Sequence, residues 1–389
     1  MDFRFTPEQE AFRQEVVAFA KKEWVPLGVS ATAVGVLTGE EWDKCMVFRG
    51  KLGETGWVGV AWPEAYGGLG KSVMHQMIFH EEMVYYGAPI DYNGYVVAPS
   101  LLAVGSEEIK RKFVGMTIRQ EIVWCQGYSE PNAGSDLAGI QTQVRREGDD
   151  FIVNGSKIWT SQAHFAEYIH LLARSDQSAP NHQAISYFVM DMKSPGISMT
   201  PLIDAGNEHH FNQIFFDNVR VPAGNIIGEW NQGWRSAMRG LENERGSNML
   251  YIAICRRLFD GMLRYLQSQP KTPVRRDAVM RHKLAQTAID VEVGRMLAYR
   301  VGWLNMQGKP FNAQASIAKL WATELQKRVA QHNAEVLGQY GALWHDPRAP
   351  MRSEVSDSLF GTIPNTIAGG TSEVQRDIIA ARGLGLPRR

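Results

Sequence analysis

Gln126-Gly127-Tyr128-Ser129-Glu130-Pro131-Asn132-Ala133-Gly134-Ser135-Asp136-Leu137, followed further on by Lys157-Ile158-Trp159-Thr160-Ser161, decides the reading of this chain. Small residues, hydroxyls and turn formers interrupted by an indole suit a place where backbone closely approaches a planar, polar ligand. On either side of these segments the pattern changes. Thr6-Pro7-Glu8 is a helix start, with a hydroxyl cap, proline at the first helical position and acid near the positive end of the dipole. Phe12, Val16 and Phe19 follow at helical spacing, and amphipathic stretches recur to about residue 118, interrupted by the Gly-rich run from Tyr66 to Gly70.

From about residue 121 the runs shorten. Tyr168 to Leu172, Ala184 to Met190 and Gln213 to Phe216 read as strands of a mostly antiparallel unit that ends near Val221-Pro222. Asn154-Gly155, after Phe151-Ile152-Val153, predicts a hairpin turn. Long helical patterns return beyond Gly233: Trp234 to about Gln267, Arg276 to about Gln307, Ala313 to Gly338, and Ser372 to about Arg382.

Composition narrows the function classes. A chain of 389 residues with 44% hydrophobic residues is long enough for two or three packed units and is not disordered. Its 41 basic and 41 acidic side chains cancel, so no global basic field points to nucleic acid or an anionic membrane. Cys45, Cys125 and Cys255 lie far apart without any CxxC spacing, which argues against disulfides and structural zinc. The adjacent pair His209-His210 lacks spaced partners, so a structural role is expected and no metal. No signal-like start and no apolar run of about 18 residues occur, so a cytoplasmic location is expected.

The first quoted segment resembles the flavin-proximal signature of the acyl-CoA dehydrogenase family, and the second resembles that family's isoalloxazine-contacting Trp segment. The likeness extends through Gly56-Trp57-Val58-Gly59-Val60-Ala61-Trp62-Pro63-Glu64-Ala65-Tyr66-Gly67-Gly68, Val219-Arg220-Val221-Pro222 and Gly369-Gly370-Thr371-Ser372-Glu373-Val374-Gln375, over almost the whole chain. The resemblance implies an α+β, mainly α fold: an N-terminal helical domain (1–120), a middle antiparallel β domain (121–232) and a C-terminal four-helix bundle (233–389).

It also implies FAD. By position, the backbone of Gln126, Gly127, Tyr128 and Ser129 would line the pyrimidine edge, with the Ser129 hydroxyl near O2. Trp159 would lie against the ring, Ser161 would approach N5, and Ser135 would contact flavin or the pantetheine arm of the substrate. Thr371 and Glu373 would sit near the pyrophosphate and adenosine. In Glu335-Val336-Leu337-Gly338-Gln339-Tyr340-Gly341 the family more often has glutamine and glycine where this chain has Glu335 and Gln339, and an anion there needs a partner. Arg275 is a further, indistinct FAD candidate.

In the family a carboxylate removes the proton next to a thioester carbonyl while the flavin takes hydride from the neighbouring carbon. Many members carry that carboxylate just before the Gly-Thr of the last motif, where this chain has Gly369. Glycine cannot accept a proton, but its amide N–H would still polarise the carbonyl. The isovaleryl- and long-chain-type members instead hold the base on an earlier helix before an arginine, which Gly240-Leu241-Glu242-Asn243-Glu244-Arg245-Gly246 matches. Glu242 has Arg239 and Arg245 at helical spacing and reads as solvated. Glu244 shares a stripe with Ala237, Leu241, Tyr251 and Ile252 and is the candidate base, with Arg245 a candidate substrate contact.

The expected reaction is introduction of an α,β double bond into an acyl-CoA, with electrons leaving through an electron-transfer flavoprotein and subunits forming a homo-dimer, a tetramer or a heteromer. Trp124 to Ala138 resembles the bacterial branch that handles bulky, cyclic or steroid side-chain acyl-CoAs more than it resembles the straight-chain enzymes, and the expected acyl group is branched, cyclic or a steroid side chain. Three alternatives stay open: an oxygen-using flavin monooxygenase or oxidase of the same fold, a non-catalytic subunit of a heteromeric dehydrogenase, and a DNA-binding relative, which the neutral charge disfavours.

Overall fold

Thr6 caps the first helix as its side chains dictate. Its hydroxyl accepts the Gln9 N–H at 3.2 Å and the Gln9 side chain accepts the Thr6 N–H at 3.0 Å, a reciprocal capping box. The computed structural model describes residues 4–26, 39–238, 248–344 and 346–387. Its helices are α1 (Pro7–Glu23), α2 (Gly39–Thr55), α3 (Val73–Tyr85), α4 (Tyr92–Val104), α5 (107–118), α6 (Met249–Ser268), α7 (Ala278–Met306), α8 (Asn312–Leu337), α9 (Glu354–Gly361) and α10 (Ser372–Ile378). Residues 233–238 are also helical.

The chain divides into two compact units that do not follow sequence order. One comprises Met1–Ala33, Lys71–Ile90 and Arg245–Arg389; the other comprises Val34–Gly70 and Asp91–Glu244. In the first, α6, α7 and α8 pack around Ile252, Leu258, Val291, Ala298, Leu325 and Val329, and α1 and α3 belong to the same body. A buried charge network ties α3 into it. The Glu81 carboxylate, 1% exposed, pairs with Arg256 at 3.0 Å and Arg295 at 2.6 Å and accepts the Tyr299 hydroxyl. Burial alone would raise the Glu81 pKa, but the two guanidinium groups and the tyrosine hold it below the usual value.

The second unit is built on seven strands: β1 (Trp124–Gly127), β2 (Gln143–Glu147), β3 (Asp150–Ser161), β4 (Tyr168–Arg174), β5 (Ile185–Asp191), β6 (Ile197–Ile203) and β7 (His209–Val221). Along the sheet the order is β1-β4-β2-β3-β7-β6, with β5 paired to β4. Pairing is mostly antiparallel, but β1 runs parallel to β4, and β2 meets β4 in parallel at Gln143 and Arg174. Val153, Ile169, Leu171, Phe188, Ile214 and Phe216 form its core.

Asn154-Gly155 is not a turn. Both residues lie inside β3, where the register to β7 shifts between Val153 and Gly155. Gly155 takes φ +141°, and a Cβ there would stand 2.7 Å from Thr142 Cα, so glycine serves a bulge under close backbone approach. The chain reverses between β2 and β3 at Gly148, with φ +63°.

Candidate active site

Two backbone irregularities shape one face of the second unit. The first is a bulge in β3 between Lys157 and Thr160, where Trp159 adopts φ +59°. A left-handed tryptophan is a steric outlier. Its indole is nonetheless 59% exposed, with Phe211 edge-on at 5.9 Å. A strained, exposed indole on a strand where Lys157 and Thr160 on either side of it are buried marks a surface shaped for a ligand.

The second is the turn after β1. Pro131 and Asn132 form a tight reversal closed by Glu130 N–H to Ala133 O at 2.9 Å and Ala133 N–H to Glu130 O at 3.0 Å. Two bonds fasten it to β3: Ile158 N–H to Ser129 O at 2.9 Å, and Lys157 Nζ to Tyr128 O at 3.0 Å. The structure therefore brings Gln126, Gly127, Tyr128 and Ser129 beside the strand that carries Trp159 and Ser161. Ser129 is half-buried, Ser135 and Ser161 are exposed, and none of the three hydroxyls bonds to a described residue. The buried Gln126 Nε2 also has no partner among the described residues.

Gly127 has a packing reason beyond ligand approach. A Cβ there would meet Ile169 Cδ1 at 2.7 Å and Leu171 Cδ1 at 2.8 Å. Beside it, the buried Tyr128 hydroxyl donates to Tyr187 Oη at 3.0 Å, and Tyr187 lies 2.7 Å from His170 Nδ1. His170 Nε2, on the other side of the ring, is buried with no partner among the described residues. Burial pushes the His170 pKa down to about 3, so the ring is neutral at physiological pH.

Sequence reasoning missed the ion pair beneath this face. Lys157, fully buried, reaches Glu130 Oε1 at 2.7 Å, while Glu130 also accepts the backbone N–H groups of Gln141 at 2.5 Å and Thr142 at 2.9 Å. Burial pushes Lys157 down to about 8 against the pull of Glu130. Burial opposes ionisation of Glu130 as well, but the ammonium and the amide donors prevail and hold its pKa low. The available signal was a lysine on the strand face that otherwise reads as core.

The first unit holds the last motif. Gly369 and Gly370 both take left-handed φ, +63° and +92°. Lys319 Nζ, on α8, donates to Asn365 O and Gly370 O, each at 2.9 Å, and Gln375 Nε2 donates to Gly369 O at 2.9 Å. The Gly369 N–H donates to no described residue. Thr371 caps α10 by accepting the Val374 N–H at 3.2 Å, and Glu373 stands exposed in the first turn. Glu335 is paired with Lys283, which supplies the partner an anion there needs. Gln339 and Arg275 are exposed. Glu242, Glu244 and Arg245 lie outside the described residues.

His209 and His210 have separate roles in the β6–β7 hairpin. His209 Nε2 meets Asn212 Oδ1 at 2.8 Å and its ring stacks on His164 at 4.1 Å. His210 Nε2 lies 2.8 Å from Glu208 and 3.6 Å from Asp204, a carboxylate–imidazole cluster that closes the hairpin.

With fold and face described, the class follows. Three family models match in order: acyl-CoA dehydrogenase N-terminal domain at residues 6–121, middle domain at 125–219 and C-terminal domain at 231–384. The chain belongs to the acyl-CoA dehydrogenase family and is an oxidoreductase acting on CH–CH bonds, in a family that is generally FAD-dependent.

Among its relatives are acyl-CoA dehydrogenase FadE29 of Mycobacterium tuberculosis, 35% identical over 87% of each chain, and acyl-CoA dehydrogenase IpdE1 of the same organism, 31% identical over 90% of each. A solved structure titled Tcur3481-Tcur3483 steroid ACAD superposes with TM-score 0.89 at 29% identity, covering 100% of both chains. The ChsE4-ChsE5 complex from Mycobacterium tuberculosis superposes with TM-score 0.86 at 31% identity, also covering 100% of both. Among the described residues no helix is long and apolar enough to cross a membrane.

Proposed function

We propose that the chain binds FAD and dehydrogenates the α,β bond of an acyl-CoA whose acyl group is branched, cyclic or a steroid side chain. The observation that carries the cofactor is the strained, exposed Trp159 beside a turn whose serine hydroxyls and Gln126 amide are unspent. These residues fit a planar ring with polar edges. FAD, when bound, supplies the hydride acceptor. Trp159 would cover the ring, the 126–129 backbone and Ser129 would hold its polar edge, and Ser161 and Ser135 would complete the face.

Proton removal is assigned to Glu244, with Arg245 beside the substrate. The unspent Gly369 N–H would donate to the thioester carbonyl, and the bonds from Gln375 to Gly369 O and from Lys319 to Gly370 O hold the two peptides that follow it. Thr371 and Glu373 would face the dinucleotide, and an electron-transfer flavoprotein would accept the electrons. The steroid title of one neighbour and the small residues Ala368 and Gly369 favour a bulky acyl group.

Self-association is supported by the exposed apolar face of α7, where Ile289 and Val293 stand beside Met296 and Leu297. A heteromeric assembly is a second reading, favoured because two neighbours bear paired names.

Anaerobic titration of the FAD-loaded chain with straight, branched and steroid-side-chain acyl-CoAs tests this. Bleaching by a bulky class, abolished in Glu244→Gln, is expected. Undiminished bleaching in that variant would remove Glu244 as base. Failure of the lone chain to take up FAD would favour the heteromer.

A further inference from the structure

We infer that the buried Glu130–Lys157 ion pair is a positioning device that holds the two arms of the flavin face, the 126–129 backbone and the Trp159 bulge, in one register. The inference rests on the FAD reading above. Neither side chain presents a polar atom to the ligand face: Lys157 is 0% and Glu130 8% exposed. Their contacts join both arms of that face. Lys157 stands two residues before Trp159 and binds Tyr128 O, the carbonyl between Gly127 and Ser129. Glu130 follows Ser129 and accepts the amides of Gln141 and Thr142, fixing the far end of the turn that carries Ser135. Thr142 in turn donates its hydroxyl to Ser156 O at 3.1 Å, returning the loop to β3.

Charge is an expensive way to fill a core. Well-packed apolar side chains of similar volume commonly serve a buried site as well or better for stability. What they cannot do is bind one carbonyl and two amides in fixed directions, and that directional grip sets where the Ser129 hydroxyl and the Trp159 indole stand. The strained φ of Trp159 makes the grip necessary, because a residue in that region relaxes unless its neighbours over-determine it.

The test uses Lys157→Met, which keeps the stem and removes the ammonium, and the double variant Glu130→Gln/Lys157→Met, which leaves no buried charge uncompensated and serves if the single variant does not fold. FAD dissociation constants and the circular dichroism of the bound flavin are measured beside the thermal midpoint of the FAD-free protein. The expected result is FAD affinity weakened by about tenfold or more, the scale of loss when supporting residues around bound metals are removed, with an altered flavin spectrum. A variant whose midpoint falls while FAD affinity and flavin spectrum match the parent has lost only stability, and this overturns the inference. A parent chain that takes up no FAD overturns the functional reading beneath it as well.

Discussion

Acid should unfold this protein through its buried histidines before its carboxylates titrate. Burial pushes both His170, in the sheet unit, and His80, in the helical unit, from 6.5 to about 3. Because each folded pKa lies below the unfolded one, the unfolded chain takes up the proton first as pH falls. The stabilising contribution is complete above 6.5 and is lost progressively toward about 3. Within that window each ring contributes a slope of about 1.4 kcal/mol per pH unit. At about pH 4.5, two units below the ordinary histidine value, each has cost roughly 3 kcal/mol, and the two together on the order of 5 kcal/mol. That is comparable with the whole stability of many domains. His164, pushed to about 4 by burial and by neighbouring His209, adds in the same direction. The assay is urea unfolding followed by circular dichroism from neutral pH to about 4.5, on the parent and on His170→Phe, which keeps the Tyr128–Tyr187 bond. The variant's stability should fall less steeply, by about 1.4 kcal/mol per pH unit. Identical slopes in the two proteins would refute the assignment of a neutral, proton-refusing His170.

Glu81→Ala leaves Arg256 and Arg295 without their shared carboxylate and should cost about 3 to 5 kcal/mol, measured by urea unfolding; a loss below about 1 kcal/mol would mean the network is solvated. Lys319→Met frees the carbonyls of Asn365 and Gly370, so anaerobic flavin bleaching by an acyl-CoA should slow by roughly 10²-fold, the scale of losing an oriented donor. FAD affinity should change far less in that variant, and an unchanged bleaching rate would detach Lys319 from the orientation of Gly369.

Local signals were readable wherever the deciding partner is near in sequence. Thr6 and Gln9 stand three residues apart, and the cap and α1 follow from them. The periodicities behind α7 and α8 also need no distant information. Asn154-Gly155 shows the limit: a glycine able to take positive φ serves a hairpin or a bulge equally, and the choice is made by the close approach of Thr142, just ahead of β2. The parallel pairing of β1 with β4 depends on contacts more than 40 residues apart, such as Trp124 with Tyr168, and leaves no local mark. The candidate site divides in the same way. The residues proposed to face the ligand are legible because their motifs are contiguous, whereas Lys157 reads like any strand lysine without Glu130 beneath it. Lys319 and Gln375 act through side chains aimed at backbone carbonyls, which no residue pattern announces.

The interleaving of the helical unit sets an order on its biogenesis. The sheet unit is complete in sequence by Glu244, but α1 and α3 belong with helices that begin at Met249. Glu81 meets Arg256 and Arg295 only after about 175 and 214 further residues have been made. At typical rates of about 5 to 20 residues per second, that interval lasts roughly 10 to 40 s. For that time Met77 and the side of α3 that packs on α6 and α7 have no permanent partner, while the sheet can already close around its own core. A nascent chain stalled near residue 245 would thus carry a complete sheet unit and, in α3, a helix whose face toward α6 and α7 is uncovered, and that face is where chaperones should bind and where truncated products should aggregate.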